Sequence, residues 1–217
     1  QQINEAGGIA TASQVDALDE EAIETYLKGI AEVEGKIDIV FNGIGLRPFE
    51  NGYGTPAAML PFADFLKPLE TIVGSQFLTA RLASKYMTAG GTILLLTSSL
   101  SRIKTPFMSG ISAASAAIEG LTRSLAAEFG FAGIRVICLN PTGMPETKTI
   151  QETAAANAKT LGIPVEAFAA ELGKGYLLGK APAVSDTAKV AAFLVSDAGS
   201  ALNSHIIDVD FGHQSVI

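Results

Sequence analysis

Two kinds of apolar pattern alternate along the chain. Short unbroken apolar runs, each of strand length, occur at Ile37 to Phe41, Thr92 to Thr97, Ile134 to Leu139 and Ile206 to Val209. Between them, apolar positions recur at helical spacing. The first such stretch, Glu20 to Glu34, opens on Asp19-Glu20-Glu21, which places acidic groups at the positive end of a helix dipole, and closes at Gly35. The next predicted helices are Pro68 to Met87, broken by Gly90-Gly91; Ser112 to Phe129; and Ser185 to Ser196, with Ser185 as N-cap. Before all of these, Gln1 to Ala6 reads as the tail of a helix stopped by Gly7-Gly8, and Ile9 to Val15 as a weak strand. Residues 46–63 and the stretch up to Gly110 read as loops, and residues 145–181 as short helices in a lid-like segment. Apolar strands alternating with helices predict βαβ units: an α/β, doubly wound parallel sheet covered on both faces, in one domain spanning residues 1–217.

In such sheets ligands gather at the carboxyl ends of the strands. Three of those ends are small and polar: Asn42-Gly43-Ile44-Gly45, Thr97-Ser98-Ser99 and Asn140-Pro141-Thr142-Gly143. Glycine admits close backbone approach, and hydroxyls and amides offer directional hydrogen bonds. Each turn alone is a weak signal, but their order and spacing together are specific.

On these residues the chain resembles the short-chain dehydrogenase/reductase family, which are NAD(P)-dependent oxidoreductases of Rossmann-like fold. Asn42 to Gly45 is similar to the family's Asn-Asn-Ala-Gly motif. Gly91 to Ser99 resembles the strand that carries its catalytic serine, with Ser99 as the equivalent (Ser98 if the loop is one residue shorter). Ser112 to Gly130 resembles the helix after its catalytic tyrosine, Arg135 to Gly143 the strand leading to its Pro-Gly turn, Asp210-Phe211-Gly212 its closing Asp-Gly-Gly, and Val15-Asp16 its adenine-side aspartate. The resemblance implies NAD or NADP as cofactor, lined by Asp16, Asn42, Gly43, Gly45, Pro141, Thr142 and Gly143. It also implies a small alcohol or carbonyl as substrate, and a homodimer or homotetramer built on the helices 68–87 and 112–129.

Departures from the family pattern weigh as much as matches. Its glycine-rich phosphate turn is not in the sequence, which begins at Gln1 inside a helical stretch. The expectation is that an N-terminal βαβ unit, about 30 residues or more, is absent from these residues, and that dinucleotide binding suffers without it. The Tyr-x-x-x-Lys pair is replaced by Ile111 and Ser115, and the longer spacing of the enoyl reductase branch meets Met108. The supporting helix asparagine falls near Ile72. Isoleucine has no proton to give and serine no charge, so hydride transfer by the family's route is expected to be impaired by about 10²- to 10⁴-fold. The chain then acts as a binding or assembly protein. The alternative is an active oxidoreductase with a different acid, for which Tyr176 in the lid-like segment is a better candidate than Tyr53 or Tyr86. A third reading is an inactive fragment that folds by strand exchange or partner capture. Lys104 reads as a solvated loop lysine, and His205 and His213 as packing or interface groups.

Composition narrows the picture further. Fifteen basic against 22 acidic residues give a net charge of −7, which disfavours nucleic acid and anionic membranes. No apolar run approaches the length of a membrane span, and residues 1–8 do not read as a signal peptide. One cysteine, Cys138, and two isolated histidines exclude an intrachain disulfide and make no zinc set. A reducing, cytoplasmic compartment is expected. Charged residues make up only 17%, low for a chain of this size, and suggest further burial in an oligomer.

Overall fold

A computed structural model describes residues 1–172 and 174–213. The helices are α1 (Gln2–Glu5), α2 (Glu20–Glu34), α3 (Phe62–Pro68), α4 (Gly74–Ala83), α5 (Ser109–Phe129), α6 (Lys148–Leu161), α7 (Val165–Leu172) and α8 (Val184–Val195). The strands β1 (Ile37–Phe41), β2 (Met87–Leu96), β3 (Arg135–Pro141) and β4 (Ile206–Val209) form one sheet in the order β1-β2-β3-β4, parallel throughout.

Strand alternation divides the apolar residues between two layers. Ile93 and Leu95 of β2 and Val136 and Cys138 of β3 pack on α4 and α5, through Ala80, Leu82, Ile118 and Leu125, with Ile23 and Leu27 of α2 at the flank. Leu94, Ile137 and Leu139 point the other way, onto Leu194 of α8 and Val209. Both faces of β2 and β3 are therefore dry, which is why their sequences are unbroken apolar runs rather than alternating ones.

Several boundaries are corrected by physics that a linear pattern does not carry. The stretch Ile9–Val15 forms no strand; it runs without a partner among the described residues, and a strand exists only through its ladder. The helix expected at 68–87 begins six residues earlier, at Phe62. Pro68 supplies no N–H, and the chain passes through a wide π turn at 69–73 before α4. Met87 belongs to β2. Helix α5 starts at Ser109, not Ser112. Ser185 is not the cap of α8: the N-cap is Ala183, whose backbone N–H donates to Asp186 Oδ2 at 3.1 Å. The expectations at Glu20–Glu34 and Ile37–Phe41 hold residue for residue, with the Asp19 carboxylate accepting from the Ala22 N–H at 3.0 Å and Gly35 turning away at φ 83°.

Candidate active site

Parallel strands bring their carboxyl ends to one edge of the sheet. The turns after β1, β2 and β3 therefore meet there, as the sequence suggests.

The turn after β1 is held by Asn42. Its amide donates to the Ser75 carbonyl at 3.1 Å and Thr79 Oγ1 at 2.9 Å, and its oxygen accepts from the Ile44 N–H at 2.9 Å. Every polar group of this buried side chain is thus spent inside the protein. A Cβ on Gly43 would come 3.6 Å from Phe41 and one on Gly45 would meet nothing within 4 Å, so these glycines leave open space over the turn. Asp16 lies exposed in an Asx turn, accepting from the Leu18 N–H at 2.9 Å, while the helix cap beside it is Asp19.

The hydroxyls after β2 separate into two sets. Thr97 and Ser98 turn toward α5: Thr97 Oγ1 donates to the Ser115 carbonyl at 2.8 Å, and Ser98 Oγ lies 3.0 Å from Ser115 Oγ. Ser99 turns the other way, its Oγ donating to Thr142 Oγ1 at 3.5 Å. Of the two serines weighed from the sequence, Ser99 is the one that faces the β3 turn.

Ile111 and Ser115, which the family resemblance aligns with its tyrosine and lysine, lie on the first turns of α5. Ile111, 9% exposed, packs with Ile72 and Met108, and Leu100 and Tyr53 lie against them. Ser115, 4% exposed, has its hydroxyl occupied by Ser98. The wall that a proton donor and an ammonium would form is apolar and neutral. Tyr53 belongs to this wall, and burial drives its phenol well above the ordinary range. Tyr86 lies at the amino-terminal end of β2, hydrogen-bonded to Glu24, and is outside the site. Lys104 is exposed. His205 precedes β4 and pairs with the Asn203 carbonyl, also away from the strand ends.

After β3, Thr142 is 5% exposed and Gly143 sits against Ile150, where a Cβ would approach to 3.0 Å. Thr142 Oγ1 lies 3.2 Å from Tyr176 Oη. The Tyr176 ring packs on His213 with centroids 4.6 Å apart, and the two residues form an antiparallel bridge. The structure thus joins Ser99, Thr142 and Tyr176, which are scattered in the sequence. Two supports carry no local sequence signal: Gln76, which brackets the end of β2 through the Leu96 carbonyl (2.7 Å) and N–H (2.9 Å), and Arg102, which ties Glu119 (3.0 Å) to Asp208 (2.7 Å).

Cys138 is fully buried within β3, and burial pushes its thiol up to about 12. The thiol form dominates at neutral pH and has no access to reagent. A disulfide-exchange reagent is expected to label it only as the protein unfolds; labelling of the native protein within minutes would show that β3 opens.

A parallel sheet whose central strands are covered on both faces, with its polar turns at the carboxyl ends, defines a Rossmann-like α/β protein. The comparisons specify it further. The family model described as enoyl-(acyl carrier protein) reductase matches residues 1–214. The uncharacterized oxidoreductase YxbG of Bacillus subtilis is 30% identical over 97% of this chain and 74% of its own length. Levodione reductase of Leifsonia aquatica is 28% identical over 92% of this chain and 73% of its own length. Sorbitol-6-phosphate 2-dehydrogenase from Erwinia amylovora superposes with a TM-score of 0.89 at 26% identity, covering 98% of this chain and 83% of that one. A short-chain dehydrogenase from Burkholderia cenocepacia, solved in complex with NADP, gives a TM-score of 0.81 at 25% identity, with coverage of 98% and 80%. The chain belongs to the short-chain dehydrogenase/reductase family of NAD(P)-dependent oxidoreductases.

Several side chains that the family resemblance places beside the cofactor make hydrogen bonds within the protein. Asn42 is fully engaged within the protein, Asp16 holds its own turn, and the Ser115 hydroxyl is hydrogen-bonded to Ser98. Among the described residues no turn gathers glycines and a helix N-terminus in the manner of a pyrophosphate cradle.

Proposed function

We propose that this chain is a family member whose usual proton relay is dismantled. It acts as a binding or assembly protein at the family's alcohol or carbonyl cleft, with hydride transfer strongly impaired. The observation that carries this reading is the α5 wall: Ile111 lies in an apolar cluster and Ser115 is neutral and already hydrogen-bonded. A phenol needs a neighbouring positive charge to exchange protons readily near pH 7, and neither partner is present. The fully engaged side chain of Asn42 supports weak binding of NAD or NADP as well.

Two measurements test the reading. Fluorescence titration of the chain with NADH and with NADPH is expected to show no saturation below about 1 mM, an affinity under ~4 kcal/mol. Oxidation of either cofactor with a panel of ketones is expected to run about 10²- to 10⁴-fold below the tens of turnovers per second of an ordinary enzyme. Micromolar binding with rapid turnover would overturn it. One observation favours the second reading, an oxidoreductase with a different acid: Tyr176, from the lid-like segment, stands 3.2 Å from Thr142.

A further inference from the structure

We infer that Tyr176 supplies the hydroxyl donor of this cleft, aimed at the oxygen of a small neutral ketone or alcohol, in place of the group that Ile111 lacks. The inference rests on the reading of the cleft as an alcohol or carbonyl site and adds the residue that recognises the oxygen.

Counting protons along the hydroxyl chain gives its direction. Each of Ser99, Thr142 and Tyr176 carries one O–H and two lone pairs. Ser99 Oγ donates to Thr142 Oγ1 at 3.5 Å, and Thr142 Oγ1 and Tyr176 Oη are 3.2 Å apart, with either able to donate. If Tyr176 donated, Thr142 would accept twice and its own proton would be left without an acceptor in a side chain 5% exposed, at a cost. The favoured arrangement runs Ser99 to Thr142 to Tyr176. Two of the three protons are then consumed inside the chain, and the third, on the phenol, has no acceptor among the described residues. Tyr176 and Ser99 are both partly exposed, whereas Thr142 is the buried link. A ligand oxygen arriving from solvent meets the two ends and not the middle.

The phenol is held for this role. Its ring lies against His213 at 4.6 Å, and the backbone around it is pinned by Leu177 N–H to the Gly212 carbonyl (3.4 Å) and Leu178 N–H to the Phe211 carbonyl (3.3 Å). His213 is thereby a positioning residue. The ligand's chemistry follows from the surroundings. Leu100, one residue past Ser99, packs against Met108 and Ile111, and the Arg102 guanidinium, three residues past Ser99, is taken up by Glu119 and Asp208. Such a site suits an uncharged body with one oxygen.

The test uses ¹³C-carbonyl cyclohexanone as probe, read by infrared difference spectroscopy on the full chain. A hydrogen bond to the carbonyl lowers its stretching frequency, so a red-shifted bound band is expected. Tyr176→Phe keeps the ring and its packing on His213 and removes only the hydroxyl. It is expected to remove most of the red shift and to weaken binding by roughly tenfold, the size of one net hydrogen bond. Ser99→Ala is the companion variant. If it abolishes the shift while Tyr176→Phe leaves band and affinity unchanged, Tyr176 is a packing residue and the inference falls. It falls equally if the unsubstituted chain shows no bound band at tens of millimolar ketone. NADH and NADPH consumption in the same samples bears on the impaired relay alone: fast turnover would remove that reading, yet the assignment of Tyr176 would still stand or fall by the band.

Discussion

Replacing Arg135 by Met is expected to cost about 3–4 kcal/mol, the sum of several charge-assisted hydrogen bonds lost and their acceptors left unpaired. Arg135 opens β3 and reaches across to the segment between α8 and β4. Its Nη1 donates to the carbonyls of Gly199 and Leu202, and its Nη2 to that of Leu194, each at 3.0 Å. Leu194 lies in the last turn of α8, where helix carbonyls have no internal partner and the dipole favours a cation. The other two carbonyls belong to a turn so tight that a Cβ on Gly199 would come within 2.6 Å of the Phe193 oxygen. Burial lowers the pKa of Arg135 from its ordinary value, but a guanidinium stays charged at any pH the fold meets. A chain of this size loses about 2–4 °C per kcal/mol, so thermal melting by circular dichroism is expected to fall by about 10 °C. Arg135→Lys keeps the charge but not the planar fork, and is expected to lose about half as much. A melting point within about 2 °C of the parent for Arg135→Met would show that these carbonyls find water instead.

None of that arrangement is visible in the sequence, where Arg135 is simply the residue before an apolar run. The contrast marks what a linear reading can reach. The runs at 92–97 and 134–139 were legible because residues on both faces of β2 and β3, such as Leu94 and Leu95, are buried, so apolarity is continuous there. The polar strand ends were legible because a parallel sheet must bring them together. Ile9–Val15 misled because strand character is a property of a pair, and no partner strand lies beside it among the described residues. The helix boundary at 68 misled because apolar spacing continues smoothly through the π turn at 69–73. At the site, Ile111 and Ser115 stood out in the sequence against the family resemblance, and both are buried, Ile111 in an apolar cluster and Ser115 hydrogen-bonded to Ser98. That Ser98 faces α5 while Ser99 faces the β3 turn needed the direction of each hydroxyl. Tyr176 was only one tyrosine among several weighed, because its link to Thr142 spans 34 residues and no local pattern encodes it.

The second large effect is expected at β1, where the chain should self-associate. Ile39 pairs in register with Thr92, and Phe41 with Leu94, so Phe41 points to the same side of the sheet as Leu94. On β2 and β3 that side is covered by α8, but on β1 nothing among the described residues covers it: Ile39 is 49% exposed and Phe41 52%. The outer edge of β1 likewise has no strand beside it among those residues. An open edge flanked by apolar side chains is a template for pairing with another chain. Covering the exposed half of two such side chains is worth about 1.5–3 kcal/mol, so replacing both by lysine is expected to weaken association by about 10- to 10²-fold. Neither residue is in the core, and the substitutions should leave the melting temperature nearly unchanged. Sedimentation velocity of the 217-residue chain across a concentration series is the measurement. The parent is expected to sediment as dimers or larger species at micromolar concentration, and the Ile39→Lys/Phe41→Lys chain as a monomer. If both sediment as monomers, solvent tolerates this edge. If both remain associated, the contact lies on another face, such as that of α4 and α5, and the apolar side chains of β1 contribute nothing to it.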